Sequence, residues 1–168
     1  MQPNQVWNAD LKRALSIFAM PNYIFRNSIF TTVNSSSWTE AEAASKALGG
    51  DLATINSKEE DIFIQSTFGP TSPLSGGENW GYWIGLYRDA SSSGYTWSDW
   101  KWISGQPLSY KNEGFNPGIP GYEPNGGYGD SPYGMVWGDQ LNSFGTPVWN
   151  DIQNNGNAGK VSQIGVAE

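Results

Sequence analysis

The sequence predicts an α+β domain with two early helices, short strands and one long irregular loop. Three observations carry that expectation. Two Ser-x-x-Glu capping boxes each open a helix-length stretch that ends at glycine. Short aromatic and β-branched runs have strand length. Residues 105–147 lack periodicity but are dense in Gly, Pro, Asn and Tyr.

The elements follow in chain order. Residues 1–23 form an N-terminal segment. The apolar stretch from Ala14 to Met20 follows Lys12 and Arg13, yet it is short, Pro21 interrupts it, and no small-residue cleavage site is evident. It reads as a short amphipathic helix with Leu11, Leu15 and Phe18 on one face and Asn8 as its cap. That face is a candidate for self-association. Tyr23 to Val33 reads as one or two strand pieces broken at Arg26-Asn27-Ser28. The box Ser37-Trp38-Thr39-Glu40 starts an Ala-rich helix ending at Leu48, with Gly49-Gly50 as the stop. Ser57-Lys58-Glu59-Glu60 starts a second helix that shows Ile62, Phe63 and Ile64, with Phe68 last and Gly69-Pro70 as terminator. Tyr82 to Tyr87 reads as a buried strand. Trp97 to Ile103 reads as another, with Trp100 and Trp102 on one face and Lys101 between them. Met135 to Trp137 with Val148-Trp149, and then Gln163 to Ala167, supply the closing strands. Trp83, Trp97, Trp100, Trp102 and Trp149 are expected in the core.

Composition narrows the chemistry. The chain has 168 residues, which suits one domain. It contains neither cysteine nor histidine. Thiolate and Ser-His-Asp or Cys-His chemistry are therefore excluded, and any metal site must be built from oxygens, which favours calcium or magnesium. A net charge of −7 opposes nucleic acid and anionic membranes as partners. No apolar run approaches the ~20 residues of a membrane-spanning helix.

The order of these elements resembles the C-type lectin-like fold. The matching blocks are Trp38 with the Ala-rich helix and Gly49-Gly50; Leu52-Ala53-Thr54-Ile55; Trp83-Ile84-Gly85-Leu86; Glu123-Pro124-Asn125; Trp149-Asn150-Asp151; and Ile164 to Glu168. The resemblance covers residues 24–168 and implies two helices, short antiparallel sheets and a long irregular calcium-binding loop. The family commonly carries two disulfides. By spacing, Ser45 and Ala167 stand where one pair would be, and Tyr133 and Asn154 where the other would be, so losses fall in matched pairs. That pattern is expected of a bacterial or phage-type member.

What the resemblance implies about the site is specific. Glu123 and Asn125 would offer side-chain oxygens to Ca2+ on either side of a cis Pro124, joined by Asn150 and Asp151. The remaining family carboxylate falls by spacing on Ser131, with Asp130 beside it, and Asp130 is the expected ligand. Two coordination positions would remain for vicinal sugar hydroxyls. In this family the Glu-Pro-Asn order goes with mannose, glucose or N-acetylglucosamine-type diols. Tyr122, Tyr128 and Tyr133 are candidate rings for stacking on the sugar.

Three function classes follow. The first is an extracellular or cell- or virion-surface carbohydrate-binding module acting in adhesion or recognition. The second is a protein-binding domain that displays Tyr110, Phe115, Tyr122 and Tyr128 from the long loop to a surface protein, or an ice-binding variant of it. The third is an enzyme using Glu123 with Asp151. It is disfavoured because calcium would hold both carboxylates ionised, which suits no general acid. The initiating Met without a secretion signal is expected of a domain cut from a larger protein, or of one delivered without a cleaved signal.

Overall fold

The computed structural model describes residues 21–69, 81–89, 91–93, 95–120, 122–124, 131–141, 145–155 and 164–168. The helix expected around Leu11, Leu15 and Phe18 lies outside them, as do Asn125, Tyr128 and Asp130.

A hairpin starts the fold. β1 (Tyr23–Phe25) pairs antiparallel with β2 (Ser28–Asn34) across a turn in which Arg26 has φ 53°. Helix α1 spans Trp38–Leu48 and α2 spans Lys58–Phe68. Then come β3 (Tyr82–Arg88), one 3-10 turn (Trp97–Asp99), β4 (Trp100–Trp102), β5 (Tyr133–Leu141), β6 (Pro147–Ile152) and β7 (Ile164–Ala167). The strands form one sheet in the order β1-β2-β7-β3-β5-β6, with β4 alongside β3. Its pairings are antiparallel except where β3 meets β7 at Trp83 and Gly165. The expected α+β class is what the chain forms.

Both capping boxes form, one residue wider than expected. The Ser37 hydroxyl accepts from the Glu40 amide at 3.2 Å, and Ser57 accepts from Glu60 at 3.2 Å. The returning carboxylates pass over the serine. Glu40 accepts from the Ser36 amide at 2.9 Å and Glu60 from the Asn56 amide at 2.7 Å. The cap residues are extended, with φ near −150°, as N-cap residues ordinarily are. α1 stops at Gly49, whose φ of 101° is the left-handed conformation that a side chain disfavours.

Two clusters of buried residues meet across the sheet. One contains Phe30, Ile64, Phe68, Ile84, Trp100, Trp102, Phe115 and Trp149, and the other Val33, Trp38, Leu52, Trp83, Met135 and Ile152. Of the five tryptophans expected inside, four are buried and Trp97 packs half-buried against the first cluster. Gly165 is required by packing, because a Cβ there would come within 2.7 Å of Leu52 and 2.9 Å of Ala41. The strand expected over Trp97 to Ile103 is shorter than its sequence pattern, since residues 97–99 form the 3-10 turn. In α2, Ile62 faces solvent, whereas Glu60 and Asp61 are buried.

The positions without cysteine are bound by other means. Ser45 and Ala167 line a common cavity of about 230 Å³, and the Ser45 hydroxyl donates to the Ala41 carbonyl at 2.9 Å. Tyr133 and Asn154 both turn to the start of α1. Tyr133 stacks on Trp38 with centroids 4.6 Å apart, and Asn154 accepts from the Trp38 and Thr39 amides, each at 3.0 Å. Tyr133, expected to be available for a sugar face, has its ring against Trp38 instead.

Asp61 is the deepest ionisable group of α2, with no exposed surface. Its Oδ1 accepts from the Trp149 indole at 2.9 Å, and its Oδ2 accepts from the Asn112 amide at 2.8 Å and the Tyr110 hydroxyl at 3.0 Å. Burial pushes the carboxyl up from 3.8 to about 6, although the three donors pull it down; the neighbouring Glu60 charge raises it further. A folded value above the unfolded one means that the folded state holds the proton between roughly pH 4 and 6. The contribution of Asp61 is therefore most favourable at the acid end and declines as pH rises through 6. The difference of about 2 units corresponds to about 3 kcal/mol. Glu60 and Tyr82, which face Asp61, are also shifted upward by burial, so the group is isolated by comparison. In urea melts without divalent cations, wild type should lose about 2–3 kcal/mol relative to Asp61→Asn between pH 4 and 7.5. A pH-independent difference between the two proteins would show that Asp61 keeps an ordinary carboxyl.

Candidate metal and ligand site

The described part of the long loop does not stand away from the domain. Its first half lies on the core between α2 and β6. Phe115 is fully buried, against Trp97 (centroids 5.6 Å apart), Trp100 (4.9 Å) and Trp149 (6.1 Å). Tyr110 is half-buried, edge-on to Trp149 at 5.9 Å, with its hydroxyl on Asp61. The alternative protein-binding reading had these two rings face a partner. They face inward because a loop of this length supplies the apolar cover that the short strands cannot. Among the described residues, the large apolar side chains that do face solvent near this loop are Tyr95 and Ile119.

The loop delivers Glu123 by backbone pairing. Asn112 accepts the Gly114 amide on its Oδ1 at 2.8 Å, which turns the chain into Phe115. Phe115 bridges to Glu123 in parallel, and the Asn116 amide donates to the Glu123 carbonyl at 2.5 Å. The Glu123–Pro124 peptide is cis, as the resemblance implied. Glu123 and Tyr122 are half-buried and Pro124 is buried.

The second arm is β6. Trp149 is buried, Asn150 is half-buried and Asp151 is 6% exposed. Asn150 and Asp151 were read as following a strand; they lie within one, paired with Met135 and Gly134 of β5. The Asn150 Oδ1 accepts from the Asp151 amide at 2.9 Å, which folds that side chain along the strand toward Asp151. The two arms are linked through Phe115 and Trp149, one on each.

The donor set suits a hard cation. Glu123 and Asp151 supply carboxylates and Asn150 an amide oxygen, the donors that calcium takes. Ser131, which closes the stretch carrying Asp130, is buried, and its Oγ has no hydrogen-bond partner among the described residues. Such an orphaned oxygen is what an absent polar ligand leaves behind. Among the described residues, no three carboxylates come close enough to hold a metal, so Glu123 and Asp151 alone do not complete a site. Asp89 and Glu113 are used otherwise, pairing with Lys101 at 2.6 Å and Lys58 at 3.6 Å.

Asp61 was missed at the level of sequence. It follows Glu59 and Glu60 in a first turn where acids complement the helix dipole. The available signal was spacing: Asp61, Ile64 and Phe68 share one helical face, and all three are buried.

Comparison with known proteins agrees with this architecture. The model of the "Lectin C-type domain" family matches residues 34–157. Residues of this chain are 34% identical over 80 positions to the mouse C-type mannose receptor 2, covering 45% of this chain and 5% of that protein. The chain thus spans a small part of the curated relatives it matches. Among solved structures, human lithostathine superimposes with a TM-score of 0.60 at 18% identity, covering 88% of each chain. The cow CD23 carbohydrate-recognition domain, solved in the presence of a GlcNAc2Man3 oligosaccharide, gives 0.59 at 27% identity, covering 86% of this chain and 89% of that one. A calcium-independent type II antifreeze protein gives 0.54 at 20% identity, covering 86% and 88%. The family is one of binding domains rather than enzymes, and with its model matched over most of its length the chain belongs to the C-type lectin domain family.

Proposed function

We propose that this domain is a calcium-dependent carbohydrate-binding module of an extracellular or cell- or virion-surface protein, acting in adhesion or surface recognition. The observation that carries this reading is the seating of Phe115 against Trp149. That contact supports reading the arm bearing Glu123 and the arm bearing Asn150 and Asp151 as parts of one site. Glu123, Asn125, Asp130, Asn150 and Asp151 would hold Ca2+, and the bound ion would supply coordination positions for two vicinal hydroxyls. The chain's own residues orient the sugar: carboxylates accept from its hydroxyls and the amide groups of Asn125 and Asn150 donate to them. Tyr122, with Tyr128, would cover a sugar face. The Glu123-Pro124-Asn125 order supports a mannose-type preference. The oligosaccharide present with cow CD23 is consistent with that class of ligand. Protein display from the loop is the weaker reading, because Tyr110 and Phe115 are committed to the interior.

Calorimetric titration with calcium is expected to give a single-site isotherm in wild type and none in Asp151→Ala. Saturating calcium should raise the melting temperature, since a ligand at a hundredfold excess over Kd stabilises the folded state by about 2.7 kcal/mol. Equal melting temperatures in calcium and in chelator would remove the metal from the account.

Specificity can be tested by exchanging acid and amide. Glu123→Gln with Asn125→Asp keeps the summed charge while reversing which side of the ion donates and which accepts. The double variant should keep calcium and move from immobilised mannose toward galactose. Retention of calcium with an unchanged mannose preference would count against the diol geometry. A wild type that ignores both sugars would hand the site to a protein ligand.

A further inference from the structure

Asp61 takes no part in the ligand set, yet its carboxylate touches both arms of the candidate site. On one side it accepts the Trp149 indole proton at 2.9 Å, and Trp149 directly precedes Asn150 and Asp151. On the other it accepts from Asn112 at 2.8 Å and Tyr110 at 3.0 Å. Asn112 then does two further things. Its amide donates to the Pro147 carbonyl of β6 at 2.8 Å, and its own carbonyl accepts the Phe115 amide at 3.2 Å. Phe115 is the residue bridged to Glu123. The partners of this one carboxylate lie 49, 51 and 88 residues away along the chain, so helix α2 fixes two segments that nothing local brings together.

We propose that Asp61 is a positioning residue for the site, setting the Glu123 arm against the Asn150–Asp151 arm through Asn112 and Trp149. The proposal rests on the calcium reading given above. Asp61 is enclosed by donors and so contributes no ligand of its own. Its effect passes through the backbone on which the ligands are carried. The shape of the cluster makes the acid specific. An amide at this position must turn its NH2 toward either Trp149 or Asn112, both of which are donors.

The test separates positioning from general support of the core. Asp61→Asn and Trp149→Phe are titrated with calcium, and each is melted in chelator. Trp149→Phe keeps a ring in the core but deletes the donor. Each variant should bind calcium about tenfold more weakly or worse, a loss of about 1.4 kcal/mol in the coupling between the two arms. The losses should fall short of multiplying in the double variant, because both substitutions act on the Asp61–Trp149 pair. The Trp149 indole N–H resonance should shift on calcium addition in wild type and be insensitive in Asp61→Asn. If Asp61→Asn does not fold, Trp149→Phe still gives the comparison of calcium affinity with melting temperature in chelator. A lower melting temperature with wild-type calcium affinity and a wild-type indole response would overturn the proposal while leaving the calcium reading intact. A wild type without any calcium isotherm would overturn the calcium reading itself, and this proposal with it.

Discussion

A carboxylate removed from water needs donors, and the way Asp61 obtains them organises the half of the domain that contains Glu123, Asn150 and Asp151. An uncompensated buried charge costs several kcal/mol. Three donors from two distant segments meet the Asp61 oxygens, and charge-assisted bonds of this kind are stronger than neutral ones. The long aperiodic segment therefore has a defined seat although it forms few regular elements. Tyr110 and Asn112 tether it at α2, and Phe115 then fills the space between Trp97, Trp100 and Trp149. Glu123 is positioned by the segment that this seat fixes.

The opposite half solves a different problem, which is to close a sheet without covalent links. A disulfide acts mainly by restricting the unfolded chain, whereas contacts act only once folding has occurred. Here Trp38 does much of the closing. Its indole donates to the Ile84 carbonyl at 2.8 Å, its amide donates to Asn154, and its ring stacks on Tyr133. One residue at the start of α1 thus touches β3, β5 and the chain beyond β6. Glu168 plays the same part for β7, accepting from the Ser28 hydroxyl at 2.6 Å and the Thr54 amide at 3.1 Å. These links fail together on unfolding, so the domain leans on cooperative packing more than a cross-linked relative would.

The helices and the buried strand were legible because their signals are local. A serine three residues before a glutamate, glycines after Leu48 and a run of aromatic and β-branched residues each act within a few positions. The capping detail was read one residue short, since each glutamate meets the amide before the serine. What was illegible is tertiary. Tyr110 and Phe115 sit among glycine, proline and polar residues, which reads as a displayed surface, and only the packing of Trp149 and α2 shows that they point inward. Asp61 was hidden by its acidic neighbours. Its place on the face of Ile64 and Phe68 was visible in principle, but an aspartate on an apolar face has meaning only once its donors are known. The Glu-Pro-Asn and Trp-Asn-Asp tripeptides lie at the opposite extreme. They were legible as motifs, while their mutual placement depends on interactions that neither motif contains.

This separation between motif and support bears on how such a site can change. Glu123, Tyr122 and Asn150 are half-buried and lie outside the Asp61 cluster, so substitutions there would alter the proposed ligand face while leaving the seat of the loop in place. Asp61, Asn112, Trp149 and Phe115 are buried and mutually bonded or stacked. A change in any of them leaves a donor, an acceptor or a cavity uncompensated. On the proposed reading, ligand preference can therefore drift at the rim while the cluster beneath stays fixed. A domain that met its ligand through Tyr110 or Phe115 would lack this freedom, because every new contact would disturb the core. The inward orientation of those rings is thus more than a detail of packing: on the proposed reading it leaves recognition to the residues that the fold can spare.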